Sequence, residues 1–326
     1  MPRRPRLDPA SAKIRKAVED ALEPGHTYLI AVSGGADSMS LAAACAFLTR
    51  KDYQFIAVTV DHGLQEGSTE VAARTQRALT DLGLTATVET AEVTATSDGL
   101  EADARTARYA ALDRAAKVHG TSGILLAHTQ NDQAETVLLG LLRGSGARSL
   151  AGMRPRTGPY IRPLLGITRA ETEAATTAQN IPVWNDPMNT DPSFTRVKVR
   201  TQLMPALAEV AGPGVYANLA RTAHLLAMDS DELEAQTDAQ AHIRGDTLLH
   251  TSAELPAALR TRVIRDWLWQ FSPTNEAGFH HVTAIDDLLT GARAGAVSCP
   301  PAAEVVRTRS GDVQFRRRDG QAPIYR

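Results

Sequence analysis

The stretch Thr27-Tyr-Leu-Ile-Ala-Val-Ser-Gly-Gly-Ala-Asp-Ser38 decides the reading of this chain. Residues 27–32 form a short apolar run of the kind a buried strand requires, and the Ala- and Leu-rich segment 39–50 reads as a helix. The order is therefore strand, tight loop, helix. A glycine pair at that junction lets successive backbone N–H groups turn inward, and the helix N-terminus adds a partial positive charge. Such a nest suits phosphate oxygens. Ser33 and Ser38 can donate hydroxyl bonds, and Asp37 can hold Mg²⁺ against the phosphates. The loop lacks the lysine of GxxxxGK[ST], and it is not a dinucleotide fingerprint. Ser-Gly-Gly alone is as readily a plain strand-to-helix turn. The strand before it, and Asp37-Ser38 opening the helix, favour a phosphate site built from Ser33, Gly34, Gly35, Ala36, Asp37 and Ser38.

Outward from this loop the alternation continues. Residues 54–60 read as a second buried strand, 69–82 as a helix capped by Ser68 and stopped by Gly83, and 86–91 as a third strand. Residues 100–119 form a long helical stretch closed by Gly120; 124–127 is another strand and 131–143 another helix. Strands alternating with helices imply βαβ units and a parallel sheet with helices on both faces. Right-handed crossovers put the loops after the strands on one edge, where open α/β sheets bind ligands. After residue 144 the pattern changes. Residues 144–167 read as a Gly-, Arg- and Pro-rich loop, followed by helices at 168–179 and 194–210, the second bent at Pro205. Ala211-Gly-Pro-Gly214 is the clearest breaker, and it places a boundary between a domain of residues 1–212 and one of 213–326. The second domain reads as smaller, mostly helical α+β, with helices to about 240, at 255–271 and at 278–290, then short β-like pieces at 296–316.

Three more segments carry chemistry. Asp61-His62-Gly63, after Val60, would lie beside the loop; it reads equally as a nucleotide contact and as an Asp-capped turn. Glu101, Arg105 and Tyr109 share a helix face, and by spacing alone they are a solvated ion-pair stripe. His128 precedes a helix whose first turn carries Asp132 and Glu135, three apart and on one side. Two carboxylates there can share Mg²⁺, hold a cationic substrate or take a proton, although acids favour helix N-termini in any case. Residues 143–200 carry nine Arg/Lys against four acids, an excess that suits phosphodiester contacts, and Arg307, Arg309 and Arg316–Arg318 add to it.

Composition bounds the rest. The chain has 326 residues, 43% hydrophobic and 22% charged, with a formal net charge of −2, so it is not an electrostatic nucleic-acid binder as a whole. Cys45 and Cys299 are far apart and outside metal-like spacing, which disfavours a disulfide framework, an iron–sulfur cluster and a Cys-ligated zinc site. No apolar signal segment follows the basic start and no apolar run approaches a membrane span, so the sequence reads as cytoplasmic.

In these segments the chain resembles the bacterial tRNA(Ile)-lysidine synthetases, members of the PP-loop (N-type) ATP pyrophosphatases. The resemblance runs through SGGxDS at Ser33–Ser38, Asp61-His62-Gly63, EAxARxxRY at Glu101–Tyr109 and AHxxxDxxET at Ala127–Thr136. It continues with LRGSGxxxLAGM at Leu142–Met153, RPLL at Arg162–Leu165, Trp184, Asp186, Asn189, Asp191, Arg196, Arg200, Pro205 and Leu207. Many members carry a second acid where this chain has Asn131, and most have Asn where it has Val197. The resemblance implies an adenine nucleotide alpha hydrolase-like fold with a five-stranded type of parallel sheet. It implies ATP as cosubstrate and Mg²⁺ on Asp37 with Asp132. The partners it implies are a tRNA(Ile) with a CAU anticodon and free L-lysine, with a homodimer possible. The reaction implied adenylates C2 of the wobble cytidine and replaces AMP by lysine, changing codon recognition from AUG to AUA. Asp132 or Glu135 would take the amine proton; Arg105 and Arg143 would lie near the phosphates or the target nucleotide; Val60, Asp61, His62 and His128 would meet the nucleotide.

Other PP-loop chemistries fit less well. A tRNA thiolase needs catalytic or cluster cysteines, and synthetases that use ammonia leave the basic 143–200 region and the second domain without a purpose. A silent RNA-binding module would not need both Asp37 and Asp132.

Overall fold

The computed structural model describes residues 8–63, 67–94, 99–184, 186, 191–271, 278–300 and 302–318, with the backbone alone for Leu100 and Glu101. The chain divides into two compact units, Met1–Ala227 and Met228–Arg326. In the first unit α1 (Pro9–Asp20) leads to β1 (Thr27–Ala31), α2 (Ala36–Leu48), β2 (Gln54–Asp61), α3 (Ser68–Asp81), β3 (Thr85–Thr90), α4 (Leu100–His119) and β4 (Ile124–Leu125). Next come α5 (Gln130–Leu142), α6 (Ala147–Leu150), β5 (Arg156–Thr157), β6 (Tyr160–Ile161), α7 (Arg169–Ala178), α8 (Thr195–Lys198) and α9 (Met204–Ala211). The division between units falls inside α10 (Val215–Ala235), beyond the breaker at 211–214, where Gly212 ends α9 at φ 83°.

The sheet of the first unit has the order β3-β2-β1-β4-β6-β5, parallel except for β5. Alternation along β1 explains why the strand must be central. Tyr28 and Ile30 pack into the core shared with α1 and α2, while Leu29 turns to the opposite face with Val58, Leu112 and Ile124. Strands added on one side run back to β3 and those on the other run forward from β4, so the direction of building reverses between β1 and β4. A crevice opens at such a switch point, outside the carboxyl ends of the strands.

Two expectations are corrected. The five parallel strands expected are β3-β2-β1-β4-β6, but residues 144–167 are not all loop: β5 and β6 form a hairpin that inserts Ile161, 3% exposed, into the core and adds an antiparallel sixth strand. Two-residue strands are too short to leave a periodic signal. Gly67, not Ser68, occupies the N-cap of α3, and Thr69 bonds the Asp61 carboxylate instead. The helix expected over 194–210 is divided by a π-turn over Val199–Leu203 between α8 and α9, and Pro205 follows it in the first turn of α9.

The second unit holds α11 (Ala239–His242), β7 (Ile243–Arg244), β8 (Thr247–Leu248), α12 (Ala257–Trp269), α13 (Phe279–Thr290), β9 (Ala296–Cys299), β10 (Ala303–Arg307) and β11 (Val313–Arg317). Its sheet is antiparallel in the order β7-β8-β11-β10-β9, and the β7–β8 hairpin is another short pair that the periodicity does not reveal. The core centres on Trp267, with Phe271 and Phe315 stacked 4.5 Å apart.

Candidate active site

The glycine loop lies at the switch point. Gly34 has φ +87°, and a Cβ there would meet Thr75 Oγ1 at 2.7 Å, so the position is closed to other residues on both counts. Trp184 N–H donates to the Gly34 carbonyl at 2.8 Å and pins the loop from above. Helix α2 starts with no side-chain cap, which leaves its first-turn N–H groups for another acceptor. Ser38 is turned inward: its hydroxyl accepts Ser33 N–H at 3.2 Å and donates to the Gly35 carbonyl at 3.0 Å. Ser38 therefore shapes the loop, while Ser33, Asp37 and Ser38 all border the cleft. The opposite wall is apolar, formed by Val32, Val58, Val60, Leu112 and Leu126. One end thus suits a planar apolar group and the other an anion.

Two histidines line the same cleft, and each has a buried Nδ1 without a hydrogen-bond partner. Desolvation, reinforced by Arg162, Arg105 and Arg196, outweighs Asp132 and lowers the His128 pKa to about 3. Burial and Arg108 lower His62 as well. Both rings are neutral at pH 7, and their orphaned nitrogens want a partner in the cleft. Arg108 lines the cleft too.

Beside the loop lies a cluster of three acids and three arginines. Asp132 is the third residue of α5, and its Oδ2 closes a capping box, accepting Thr129 N–H and Oγ1–H at 2.8 Å each. Its Oδ1 faces the guanidinium groups of Arg169, Arg200 and Arg196 at 3.2, 3.3 and 3.4 Å. Glu135, with a side chain only 1% exposed, takes Arg200 in a two-point contact at 2.8 and 3.0 Å, and Arg196 at 3.1 Å. Arg169 also reaches Glu135 at 3.5 Å and Asp37 at 3.6 Å. Thr172 Oγ1 donates to the other Asp37 oxygen. Desolvation raises Asp37, against Thr172 and Arg169. At Asp132, desolvation pushes upward, yet Arg169, Arg196 and the Thr129 bonds hold the carboxyl below its usual range.

These acids differ in how well they suit Mg²⁺. Asp37 fits: it stands at an uncapped helix start beside the phosphate loop, and its Oδ2 has only the 3.6 Å contact. Mg²⁺ commonly takes one or two carboxylates and completes its shell with phosphate oxygens and water. Asp132 fits only after rearrangement, since one oxygen holds the cap and the other faces three cations. Among the described residues no group of three or more His, Cys, Asp or Glu forms a metal cage.

The sequence-derived residues fall into place unevenly. Ser33, Asp37, Ser38, Val60, His62 and His128 line the cleft, Gly34, Gly35 and Ala36 form the loop between Ser33 and Asp37, and Asp132 and Glu135 join Asp37 through Arg169. The Asp61 carboxylate is spent on a turn, accepting Gly63 N–H at 3.0 Å and Thr69 Oγ1–H at 2.8 Å. Arg105 stands over Tyr109, 3.1 Å from its hydroxyl. Arg143 is exposed at the C-cap of α5, eleven residues beyond Asp132 and so about 16 Å along the helix. The Glu101 side chain and Asn189 lie outside the described residues. The spacing argument missed Arg169 and Thr172 as site residues, and it counted Arg169, Arg196 and Arg200 as nucleic-acid charge. Their acid partners come from residues 37, 132 and 135, outside the 143–200 count, so that local excess is partly internal.

Comparison with known proteins matches residues 7–207 to a PP-loop domain model. The chain is 46% identical to a tRNA(Ile)-lysidine synthase of Thermobifida fusca over 291 residues, covering 86% of this chain and 90% of that one. It is 45% identical to one of Streptomyces coelicolor, covering 87% and 83%. The figure is 42% for one of Cutibacterium acnes, covering 96% and 98%. Among solved structures, the U34-tRNA thiolase NcsA from Methanococcus maripaludis with its [4Fe-4S] cluster aligns with a TM-score of 0.56. That alignment covers 67% of this chain and 78% of that one at 17% identity, a likeness of fold.

Proposed function

We propose, for a chain that belongs to the tRNA(Ile)-lysidine synthases, a family of PP-loop enzymes, that this cleft activates the wobble cytidine of a CAU-anticodon tRNA(Ile) with ATP and joins free L-lysine to its C2. The observation that carries the reading is the juxtaposition of the uncapped glycine loop, the apolar wall and the acid cluster at one sheet edge.

The adenine would lie against Val58, Val60 and Leu126, with its polar edge meeting His62. The phosphates would follow the Gly34–Gly35 backbone to the start of α2. Mg²⁺ held by Asp37 would supply neutralising charge for the departing pyrophosphate. Arg108 and Arg105, at the rim, add positive charge there. In the first step the cytidine C2 oxygen bonds to the α-phosphorus as the bond to pyrophosphate breaks. In the second, the lysine ε-nitrogen bonds to C2 and AMP leaves with that oxygen. The target base must leave the anticodon stack to reach the pocket.

The attacking amine must shed a proton, since its ordinary pKa is near 10.4. Glu135 is a poor acceptor because both its oxygens are committed to guanidinium groups. Asp132 Oδ1 is the base in this reading: it too faces guanidiniums, but at the longer distances of 3.2, 3.3 and 3.4 Å, and its side chain is 11% exposed against 1% for Glu135. Arg143, far along α5, belongs with a tRNA-facing surface rather than with the phosphates. Residues beyond the catalytic unit, including exposed Arg307, Arg309, Arg316 and Arg318, serve the same anionic partner. A cluster-dependent thiolation fits poorly, because the two cysteines of the sequence are both buried and stand in separate units.

The test is AMP release from labelled ATP with an unmodified tRNA(Ile) transcript bearing CAU, with and without lysine. The expected result is AMP that depends on tRNA, with labelled lysine entering the tRNA. AMP formation that needs neither would keep the ATP site and remove this substrate assignment.

A further inference from the structure

We propose that Arg169 is a gate on the amine subsite, held on the acids in the nucleotide-free enzyme and drawn off them when phosphates occupy the neighbouring loop. The inference rests on the reading that Asp132 receives the lysine ammonium.

Charge counting sets the problem. Asp37, Asp132 and Glu135 meet Arg169, Arg196 and Arg200, three negative charges against three positive. A fourth cation entering this cluster finds no uncompensated carboxylate, and burying it there would leave a net positive charge. One guanidinium has to leave before an ammonium can bind. The geometry selects which. Arg200 grips Glu135 at 2.8 and 3.0 Å, and Arg196 at 3.1 Å. On Asp132 Oδ1 the three guanidiniums are nearly level, at 3.2 Å for Arg169, 3.3 Å for Arg200 and 3.4 Å for Arg196, but away from it Arg169 has only the long contacts to Glu135 at 3.5 Å and Asp37 at 3.6 Å. It covers the Asp132 oxygen assigned to the amine.

Arg169 is also built to swing. It is the first residue of α7, its backbone N–H is fixed by Asn131 Oδ1 at 2.9 Å, and Thr168 and Glu171 form a capping box around it. With the backbone anchored, any movement off the acids has to come from the side chain. Asn131, a neutral side chain, performs this anchoring without adding a fourth negative charge. The direction of movement follows from Asp37. Arg169 already touches that residue of the phosphate loop, so anionic phosphates beside Asp37 would compete with Asp132 for the guanidinium. Nucleotide would therefore open the amine subsite, and lysine would bind second.

The experiment is equilibrium dialysis of labelled lysine against the full-length protein, alone and with a non-hydrolysable ATP analogue plus Mg²⁺. For the wild type, the analogue should tighten lysine binding by about tenfold or more. Arg169→Gln should bind lysine without nucleotide as well as the wild type does with it, and Arg169→Lys should keep the nucleotide dependence. Equal lysine affinity of the wild type with and without analogue overturns the gate and needs no variant. Weaker lysine binding by Arg169→Gln in both conditions would make Arg169 a brace and overturn it too. If neither protein binds lysine while the analogue still binds, the lysine reading itself fails, and the gate with it.

Discussion

Glu135 shows how much a single buried side chain can organise. A carboxylate that is 1% exposed is tolerable only with charged partners, and two arginines from the α8 region supply them at hydrogen-bond distance. Asp132, three residues earlier, divides its two oxygens between a helix cap and the cluster. Replacing it by Asn should abolish lysine transfer while leaving tRNA affinity nearly intact, and full retention of turnover would remove it from the mechanism. His128 gives a pH prediction. Its pKa falls from an ordinary 6.5 to about 3 on folding, so the folded state favours the neutral ring. Its contribution to stability is intact above pH 6.5 and is lost progressively as pH falls toward 3. Urea titrations at pH 7.5 and 5 should show a smaller loss for His128→Asn than for the wild type; equal losses would mean another group dominates.

At the scale of elements, the site is an agreement between the starts of three helices. α2 offers bare N–H groups, α5 offers its capping aspartate, and α7 offers Arg169. The π-turn after α8 continues the ladder so that Arg196 and Arg200 reach the same two acids. Glu135→Gln should cost no more than about 3 kcal/mol in chemical denaturation, since Arg196 and Arg200 keep their contacts to Asp132 and, about a quarter exposed, leave part of their charge to water. An unchanged midpoint would show the cluster to be energetically idle. Gly34→Ala faces both φ +87° and the 2.7 Å contact with Thr75, and it should cost about 1–3 kcal/mol. ATP binding by calorimetry should fall much further than this, because the substitution displaces the loop itself.

For the whole molecule, a net charge of −2 conceals local groups of basic residues. Arg105, Arg108 and Arg162 sit around the cleft, while Arg143, Arg156 and Lys198 are exposed elsewhere on the first unit. If these charges meet phosphodiesters, log affinity for tRNA should fall linearly with log salt, by about 0.7–0.9 per phosphate neutralised. A flat dependence between low and physiological salt would argue against a basic docking surface. Arg169→Gln should leave that slope unchanged, because its guanidinium is engaged inside the cluster.

The sequence by itself determined the parallel sheet, the glycine loop between strand and helix, and the placing of Asp132 and Glu135 on one side of a helix start. Each depends on local information: an apolar run long enough to be a strand, glycines where φ must be positive, and acids one helical turn apart. Short elements escaped it. Two-residue strands carry no period, and a π-turn has no composition of its own. Above all, the sequence could count charges but not pair them. Whether Arg196 and Arg200 meet solvent phosphates or buried carboxylates depends on contacts between residues more than sixty positions apart, and those exist only after α5, α7 and α8 have packed around the sheet. Tertiary structure alone made that choice, because a buried acid is stable only where the fold brings a cation to it.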